Sequence, residues 1–596
     1  MKDNIKDSVY TTHYVVFIIV IIFIFIVLFL FSFKITGVRQ LPNTEKEYTL
    51  NGQVGDIISS DGYTLVSSQK TYRVEIDLRS FNEEKQDYFL KLFGIYANLD
   101  EKEILDIKKR LAKAIKTKKT TRFILSDNVT SKNATYLLEL RKKLIVQNFF
   151  KNFTNASGKT EIRGLDIIEN KEDRIYLKKD ILTPAIGYSN LVIENDIFKY
   201  KPQKGIEKYY ERCLHDTRQT RLIGYKDIGN NIIIDKFSFK SSKKDGCNIY
   251  LTINLKLQKA IEIMLDEQKK AFSADEIIVA VMDSKSGELL SFASSRRFDP
   301  KHITNIPSLN VSAIEYEYEP GSVMKPIAFA AALHHNKLNR YEVIDVENGR
   351  YKLANFIITD THPKDKLVAK DIIYHSSNIG MIKIASRMSS KELYDFYQNF
   401  GIAKKTGIDL PYEKEGFLKP YHKINDVEKA TMAYGYGFRA TFIQILNAYN
   451  VFNNLGIYQT AHLGKYYEYD SKKPLFENEG VRVLNLDVTK QMKRILIETA
   501  SNPNVAKFFP QGLETGGKTG TARIVGHKGY EKNYNSSYFG FVNDEKNKYT
   551  IGVLVVNPDK EKMGYYASQT ALPIFGKTMQ ILIDEDFLRP KESGNK

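Results

Sequence analysis

The chain has 596 residues, 42% hydrophobic and 27% charged, and its 88 Lys and Arg against 71 Asp and Glu give a formal net charge of +17. This length is too great for one ordinary domain and predicts two or three. The mixed composition, without internal repeats or low-complexity segments, excludes a disordered, collagen-like or coiled-coil protein.

The first feature in chain order is an apolar segment near the N-terminus. Tyr14 to Phe33 are twenty consecutive residues without a charge, nearly all Ile, Val, Phe and Leu. A helix of this length spans roughly 30 Å, the thickness of a bilayer core. A cleaved signal peptide would have a shorter apolar region followed by small residues. We therefore predict an uncleaved anchor at residues 14–34, a cytoplasmic tail at 1–13, and the bulk of the chain across the membrane.

Residues 35–247 contain predicted strands and helices but no recognisable catalytic arrangement. Strand-like patterns at 56–58 and 72–76 precede a long helical region at 82–150, and further strands and turns follow. These patterns predict an extended α+β spacer.

A basic region lies within this spacer, at residues 102–143. In a cytoplasmic protein such a region would suggest nucleic acid as a partner. Outside the membrane that partner is absent, so we predict no nucleic-acid binding. The simpler interpretation is a solvated basic helical face, and the alternative is attraction to anionic lipid or to a wall polymer.

The two cysteines, Cys213 and Cys247, are too few for a disulfide framework and lack the spacing of a metal site. Cys213 falls on the apolar face of a predicted amphipathic helix, which favours a buried free thiol. A bridge between the two is the alternative, because an extracytoplasmic compartment permits it.

A different pattern begins at residue 248. A strand at 249–253 precedes Asn254, which can cap the helix that follows. A mostly helical stretch runs from 322 to about 455, and an amphipathic helix begins near Pro573. The other predicted strands are residues 277–282, 288–293, 517–523, 537–543 and 549–557. Two strands early and three late, with helices between, suit a five-stranded antiparallel sheet flanked by helices.

The first chemical motif is Ser322-x-x-Lys325, which follows a Pro-Gly pair and opens an apolar helix. A spacing of three places both side chains on one helix face, so the amine can reach the hydroxyl. A serine is a weak nucleophile until a neighbouring base takes its proton, and Lys325 can be that base only if burial and nearby cations lower its pKa. Alone, the motif is a weak signal, and a capping serine with a surface lysine would be the better explanation.

The second motif is Ser376-x-Asn378, in which a hydroxyl and a carboxamide could relay a proton and bind a peptide amide. A plain helix cap before Ile379 explains these residues equally well on local evidence.

The third motif, Lys518-Thr519-Gly520-Thr521, opens a strand. The period of two places both threonines on one face, and glycine allows a ligand to approach the backbone. Lys518 falls on the other face of the strand from the two threonines, and we expect it to act from the exposed edge of the strand. A phosphate-binding loop is excluded, because no glycine before Lys518 opens a loop that leads into a helix.

Together the three motifs form the signature of penicillin-recognising serine enzymes. They are separated by 54 residues from Ser322 to Ser376 and by 142 from Ser376 to Lys518. The sequence resembles class B penicillin-binding proteins, and within them the division-specific FtsI type, from about residue 52 to 585. The segments that carry the division-type resemblance are 318–322, 376–381, 518–523 and 537–541.

The resemblance implies a multidomain architecture. An α+β pedestal of the dimerisation type would occupy residues 35–247, and a serine β-lactamase-like transpeptidase domain with the five-stranded sheet would occupy 248–588. A short tail would follow at 589–596.

The resemblance also implies the roles of the motif residues. Ser322 would attack the penultimate D-Ala carbonyl of a stem pentapeptide, and Lys325 would take its proton. Ser376 and Lys518 would pass a proton to the leaving amine. Asn378 would hold the donor peptide.

The strand residues of the third motif would bind the substrate. Thr519 and Thr521 would hold the terminal carboxylate, and Gly520 would allow close approach. Amides of Ser322 and Thr521 would form the oxyanion hole. The amine of a neighbouring stem peptide would then resolve the ester into a 4→3 cross-link. No metal or organic cofactor is required.

Other functions remain as alternatives. A β-lactamase shares the motifs, but the segment that would position its hydrolytic water is missing between the second and third motifs. A D,D-carboxypeptidase fits the motifs but usually on a smaller chain, and a bifunctional synthase would need a glycosyltransferase domain. A non-catalytic scaffold or β-lactam sensor conflicts with the complete motif set and single anchor. An elongation-type class B protein is the nearest alternative.

The resemblance finally implies partners and location. Stem pentapeptides and β-lactam antibiotics would bind the active site, and an FtsW-type glycosyltransferase with other divisome membrane proteins would bind elsewhere. The enzyme would be a single-pass protein of the inner membrane with its catalytic domain in the periplasm.

Overall fold

The structure is a computed structural model of the whole chain. It describes residues 3–37, 45–50, 52–117, 119–154, 158, 160–194, 197–218, 220–225, 236, 238–242, 244–303, 306–476, 479–526, 529–562 and 564–591. Their contacts group into two compact units, one of residues up to 52 with 217–244, and one of residues 53–216 with 245–596.

The first unit contains the predicted anchor. Helix α1 spans Asp3–Gly37, and among the described residues its segment Thr11–Ser32 is the one long and apolar enough to cross a membrane, with a mean hydropathy of 3.6. The side chains of Thr11–Ser32 are exposed, as a lipid-facing helix requires. A small antiparallel sheet completes the unit, in which Thr220–Tyr225 pairs with Glu45–Leu50 and with Phe239–Lys240. The predicted anchor helix is confirmed.

The second unit begins with a seven-stranded sheet and three helices that pack on it. The helices are α2 (Gln86–Ala97), α3 (Glu101–Thr117) and α4 (Ser131–Val146). The sheet strands are Ile57–Ile58, Thr64–Asp77, Arg122–Thr130, Leu165–Tyr176, Asn248–Leu251, Gly464–Glu468 and Lys472–Pro474. The prediction of helix throughout 82–150 is therefore wrong at Arg122–Thr130. That segment pairs antiparallel with Thr64–Asp77 and buries Phe123 and Leu125.

Strand Asn248–Leu251 lies at the predicted boundary between the pedestal and the transpeptidase domain, and it pairs with strands from both. It pairs parallel with Ile57–Ile58 and antiparallel with Gly464–Glu468. The predicted domain boundary thus falls inside a continuous sheet and stays a prediction. Minor two-stranded pairings in the same unit are Phe153–Thr154 with Thr160–Glu161 and Tyr188–Glu194 with Ile197–Lys204.

Cys213 and Cys247 form a disulfide, with their Cα atoms 5.3 Å apart. The preferred prediction of a free thiol is therefore wrong. Cys213 lies on the short helix Glu211–Leu214, and the backbone N–H of Cys247 donates to its carbonyl oxygen at 3.0 Å. This backbone pairing brings the side chains together, which spacing in the sequence cannot reveal.

The five-stranded antiparallel sheet is confirmed. Its strands are β1 (Glu276–Asp283), β2 (Leu289–Ser294), β3 (Glu514–Gly526), β4 (Gly529–Asn543) and β5 (Lys548–Val556), in the spatial order β2-β1-β5-β4-β3. Both faces of the sheet are covered. In β1, Val279 and Val281 face one core, whereas Ile278 and Ala280 face another. Burial on both sides explains why this strand is apolar without alternation.

Helices flank the sheet as predicted. Asn254 caps α5 (Leu255–Phe272) by accepting from the Leu257 N–H, and α5 packs with the C-terminal helix Ala571–Asp584 on one face. The other face carries α6 (Lys325–His334) and a buried helix, Phe442–Asn453. The remaining longer helices are Ala369–Tyr374, Asn378–Ala385, Ser390–Asn399, Asp426–Met432 and Leu486–Ala500. Short hairpins interrupt the stretch predicted as mostly helical, among them Arg350–Leu353 with Phe356–Thr359.

Candidate active site

Ser322 lies on a tight turn that leads into α6. Gly321–Met324 form one turn of 3-10 helix, so Ser322 lies just before the α-helix rather than in its first turn. Gly321 has φ +65°, and its N–H donates to the Gly435 carbonyl oxygen at 3.0 Å. A glycine is required here because other residues disfavour this conformation. The turn holds the Ser322 side chain half-buried at the cleft.

Lys325 begins α6, and its side chain is completely buried. Its Nζ lies 2.5 Å from the Ser376 carbonyl oxygen and 3.1 Å from Ser376 Oγ. Burial, reinforced by the charge of Lys518, holds the pKa of the amine well below its ordinary value, and Asp360 opposes this shift. A lowered pKa favours the neutral amine that a serine nucleophile needs as its base.

Ser376 lies in the sharp turn between helices Ala369–Tyr374 and Asn378–Ala385, with φ +55°. It is Ser377, not Ser376, that caps the second helix, by accepting from the Gly380 N–H at 2.9 Å. The helix cap considered for the second motif is therefore Ser377, and the Ser376 hydroxyl faces Lys325 instead. Asn378 donates through Nδ2 to the Thr359 carbonyl oxygen at 3.1 Å.

A buried carboxylate, Asp360, holds this turn in place. Its Oδ1 accepts from the N–H groups of Asn378 at 2.6 Å and Ile379 at 3.2 Å, and its Oδ2 accepts from the Ser377 hydroxyl. An anion at a helix N-terminus is favoured by both the free N–H groups and the helix dipole. Sequence analysis missed Asp360, because no motif spacing ties it to residues 376–378.

Lys518 is the second buried amine of the site. Its side chain is 2% exposed, and its Nζ donates to the Thr519 carbonyl oxygen at 3.1 Å. Burial lowers the pKa of Lys518 to about 8. Strand β3 is an edge strand of the sheet, but the expectation that Lys518 acts from an exposed edge is wrong, because its side chain is buried and helix Leu486–Ala500 packs against that strand.

Gly520 lets β3 approach the turn of Ser322. A Cβ at this position would lie 2.8 Å from Val323 Cγ1 and from Ser537 Oγ, and 3.2 Å from the Pro320 carbonyl oxygen. The missing side chain therefore brings the third motif against the first, rather than only admitting a ligand. Thr519 is half-buried on the same face of β3 as Thr521.

A group of aromatic side chains lies beside Thr521. The Thr521 Oγ1 accepts from the Ala567 N–H at 3.0 Å, which places Tyr565 and Tyr566 next to β3. The Tyr565 ring stacks on Tyr534 with centroids 3.9 Å apart and on Tyr566 at 4.5 Å. Sequence analysis missed this group, although the adjacent tyrosines at 565 and 566 mark it.

All eight predicted site residues thus belong to three elements that contact one another: the Ser322 turn with α6, the Ser376 turn, and β3. The two buried amines and the serine suit acyl transfer, in which one group takes a proton from the nucleophile and another gives one to the leaving group.

Comparison with known proteins agrees with this geometry. The family described as penicillin binding protein transpeptidase domain matches residues 277–580, and the penicillin-binding protein dimerisation domain matches residues 49–251. Among curated relatives, the peptidoglycan D,D-transpeptidase FtsI of Buchnera aphidicola is 30% identical over 441 residues, which cover 73% of each chain. FtsI of Escherichia coli is 26% identical and covers 71% of this chain and 68% of its own.

Solved structures share the fold. Penicillin Binding Protein 2X from Streptococcus thermophilus superposes with a TM-score of 0.72 at 17% identity, covering 92% of this chain and 83% of that one. A peptidoglycan synthetase from Bifidobacterium adolescentis gives 0.68 at 20% identity, covering 93% and 98%. The chain belongs to the penicillin-binding protein transpeptidase family, as a class B member of the FtsI type.

Proposed function

We propose that this transpeptidase cross-links the septal cell wall during division, through an acyl-enzyme on Ser322. The observation that carries the proposal is the completely buried Lys325, whose Nζ lies 3.1 Å from Ser376 Oγ and whose pKa is lowered by burial, which favours its use as a base. The septal assignment is supported by the FtsI-named relatives.

In the first half-reaction, Ser322 Oγ attacks the penultimate D-Ala carbonyl carbon of a stem pentapeptide, and Lys325 takes the proton of the Ser322 hydroxyl. The new C–O bond forms, the C–N bond to the terminal D-Ala breaks, and the proton passes through Ser376 to the departing amine. The 3.1 Å separation of Lys325 Nζ and Ser376 Oγ suits this relay. The backbone N–H groups of Ser322 and Thr521 would stabilise the oxyanion.

In the second half-reaction, the amine of a neighbouring stem peptide attacks the ester carbonyl and frees Ser322. Earlier, while the donor pentapeptide is still intact, Asn378 orients it, and Thr519 and Thr521 bind the carboxylate of the terminal D-Ala that later leaves. Lys518 is charged below a pH of about 8 and attracts that carboxylate. A β-lactam would enter by the same route and leave a stable ester on Ser322.

The proposed topology places the transpeptidase domain, residues 248–588, in the periplasm, with the pedestal of residues 35–247 between it and the anchor. An FtsW-type polymerase would supply new glycan strands, because this active site only joins peptides. The anchor and the pedestal would both contribute to that contact.

Labelling with fluorescent penicillin tests the mechanism. The wild-type protein should form one covalent adduct, located by mass spectrometry on the peptide containing Ser322. Ser322→Ala should abolish it, and Ser501→Ala, at an exposed serine outside the motifs, should label normally. Adduct formation in the Ser322 variant would overturn the proposal, and rapid release of the label would identify a β-lactamase. A fluorescent fusion at midcell would support the septal role, and one along the side wall would favour elongation.

A further inference from the structure

Helix α3 carries a row of lysines on its outer side. Ile107 and Leu111 bury the inner side of the helix in the hydrophobic core. Four exposed lysines lie opposite, and with about 3.6 residues per turn they fall within a strip about 60° wide. This lysine stripe consists of Lys102, Lys109, Lys113 and Lys116.

The stripe differs from the other basic residues of α3 in having no counter-charge. Lys108 pairs with Asp87 at 2.7 Å, and Arg110 pairs with Asp106 at 2.8 Å. Lys108 and Arg110 lie off the line of the stripe, and Asp106, which lies beside Lys102 and Lys109, is engaged by Arg110. Within the described part of the chain, no acidic side chain forms an ion pair with any of the four stripe lysines. Their charges are therefore available to a partner.

The dimensions of the stripe favour a linear partner. Lys102 and Lys116 are fourteen residues apart, or roughly 21 Å along a helix, with Lys109 halfway. Point charges that follow one another along a line match a polymer that carries anions along its length. Lysines are compact and strongly hydrated, which suits a reversible contact better than the bidentate fork of arginine.

A membrane surface fits the stripe poorly. An interfacial helix needs a face of large apolar residues that enters the lipid, beside its basic face. In α3 the apolar face is already buried, and Leu105 is the one large apolar side chain of this helix exposed by more than half.

We propose that the lysine stripe binds the carboxylates of peptidoglycan strands that are not yet cross-linked, and so holds the polymer whose peptides the active site joins. The inference rests on the proposed function, because the same polymer supplies the stem peptides. Stem peptides repeat along each glycan and carry free carboxylates, which provides the row of anions that the stripe requires.

Cosedimentation of the full-length protein with purified peptidoglycan tests the inference. The test variant replaces the four stripe lysines by Gln. The control variant removes the same charge from exposed residues of α4, at Lys132, Arg141, Lys142 and Lys143. Each exposed ion pair makes a small contribution to binding. Relative to the wild-type protein, the stripe variant should therefore bind peptidoglycan about tenfold to a hundredfold more weakly, and the control variant less than about threefold more weakly. Binding should also weaken with salt. Equal losses in the two variants would overturn the proposal, since net charge alone would explain them.

Two further arms identify the partner without relying on a variant. Amidation of the peptidoglycan carboxylates should abolish binding of the wild-type protein, and unchanged binding would overturn the inference. Neutral vesicles and anionic vesicles should capture the wild-type protein to a similar extent, because the anchor Thr11–Ser32 enters both, and a strong preference for anionic vesicles would overturn the choice of peptidoglycan over lipid. Penicillin labelling should be equal in all variants, so a failure of Ser322 chemistry would be seen separately from a failure of the stripe.

Discussion

Replacing Asp360 by Asn tests how the Ser376 turn is held. The carboxylate accepts three hydrogen bonds, from Ser377, Asn378 and Ile379. Asn keeps one acceptor oxygen but has no negative charge. In the wild-type protein that charge strengthens each of these hydrogen bonds by about 1 kcal/mol. We expect the Ser376 turn to be destabilised by about 2 kcal/mol and acylation by penicillin to be roughly thirtyfold slower, since about 1.4 kcal/mol corresponds to tenfold.

The same substitution makes a prediction about pH. Asp360 raises the pKa of Lys325 against the stronger effects of burial and Lys518. Removing its charge should lower that pKa further, so Lys325 stays neutral at lower pH and the acid limb of the acylation profile moves down.

The assay is the second-order rate of acylation by fluorescent penicillin across pH, with thermal unfolding as a check on folding. Asp365→Asn is the matched control, because it removes the same charge from an exposed neighbouring position. An acid limb that stays at the wild-type pH in the Asp360 variant, or moves up, would refute the proposed coupling to Lys325.

Three other predictions follow from the site. Lys325→Arg should lower the acylation rate by about 10³-fold or more with an unchanged circular dichroism spectrum, because guanidinium cannot become neutral; labelling near the wild-type rate would contradict this. Acylation should decline as pH rises through about 8, where Lys518 loses its charge, and Lys518→Arg should remove that alkaline limb; a limb that persists would assign it to another group. Gly520→Ala would place a Cβ 2.8 Å from Val323 and from Ser537, so it should cost about 1–3 kcal/mol by denaturant unfolding and slow labelling, and a fully active, equally stable variant would contradict the packing described.

Local patterns were enough to predict much of this fold. The strands of the five-stranded sheet and the cap at Asn254 depend on neighbours in sequence, and the structure confirms them. The three motifs could be recognised because each is short and their order is specific. Their meeting at one cleft follows from the predicted sheet with its adjoining helices.

Features that depend on distant contacts were not predictable. Asp360 acts on residues 376–378 across a turn whose geometry no spacing reveals. The burial of Lys518 depends on the helix Leu486–Ala500 that covers the sheet edge. The strand Arg122–Thr130 lies among charged helices, and it is identified by its pairing with Thr64–Asp77 rather than by composition.

The sheet that includes residue 248 limits how this protein can be cut into fragments and how its domains can be exchanged in evolution. The N–H of Ile249 donates to the Asp56 carbonyl oxygen at 2.8 Å, and Asn248 Oδ1 accepts from the Asp56 N–H at 2.9 Å. A fragment that begins at 248 would expose the unpaired edge of this strand, which invites association with other chains. Exchanging the pedestal with that of another enzyme would break the same pairing. The pedestal and the catalytic portion are therefore expected to change together during evolution, as parts of one sheet.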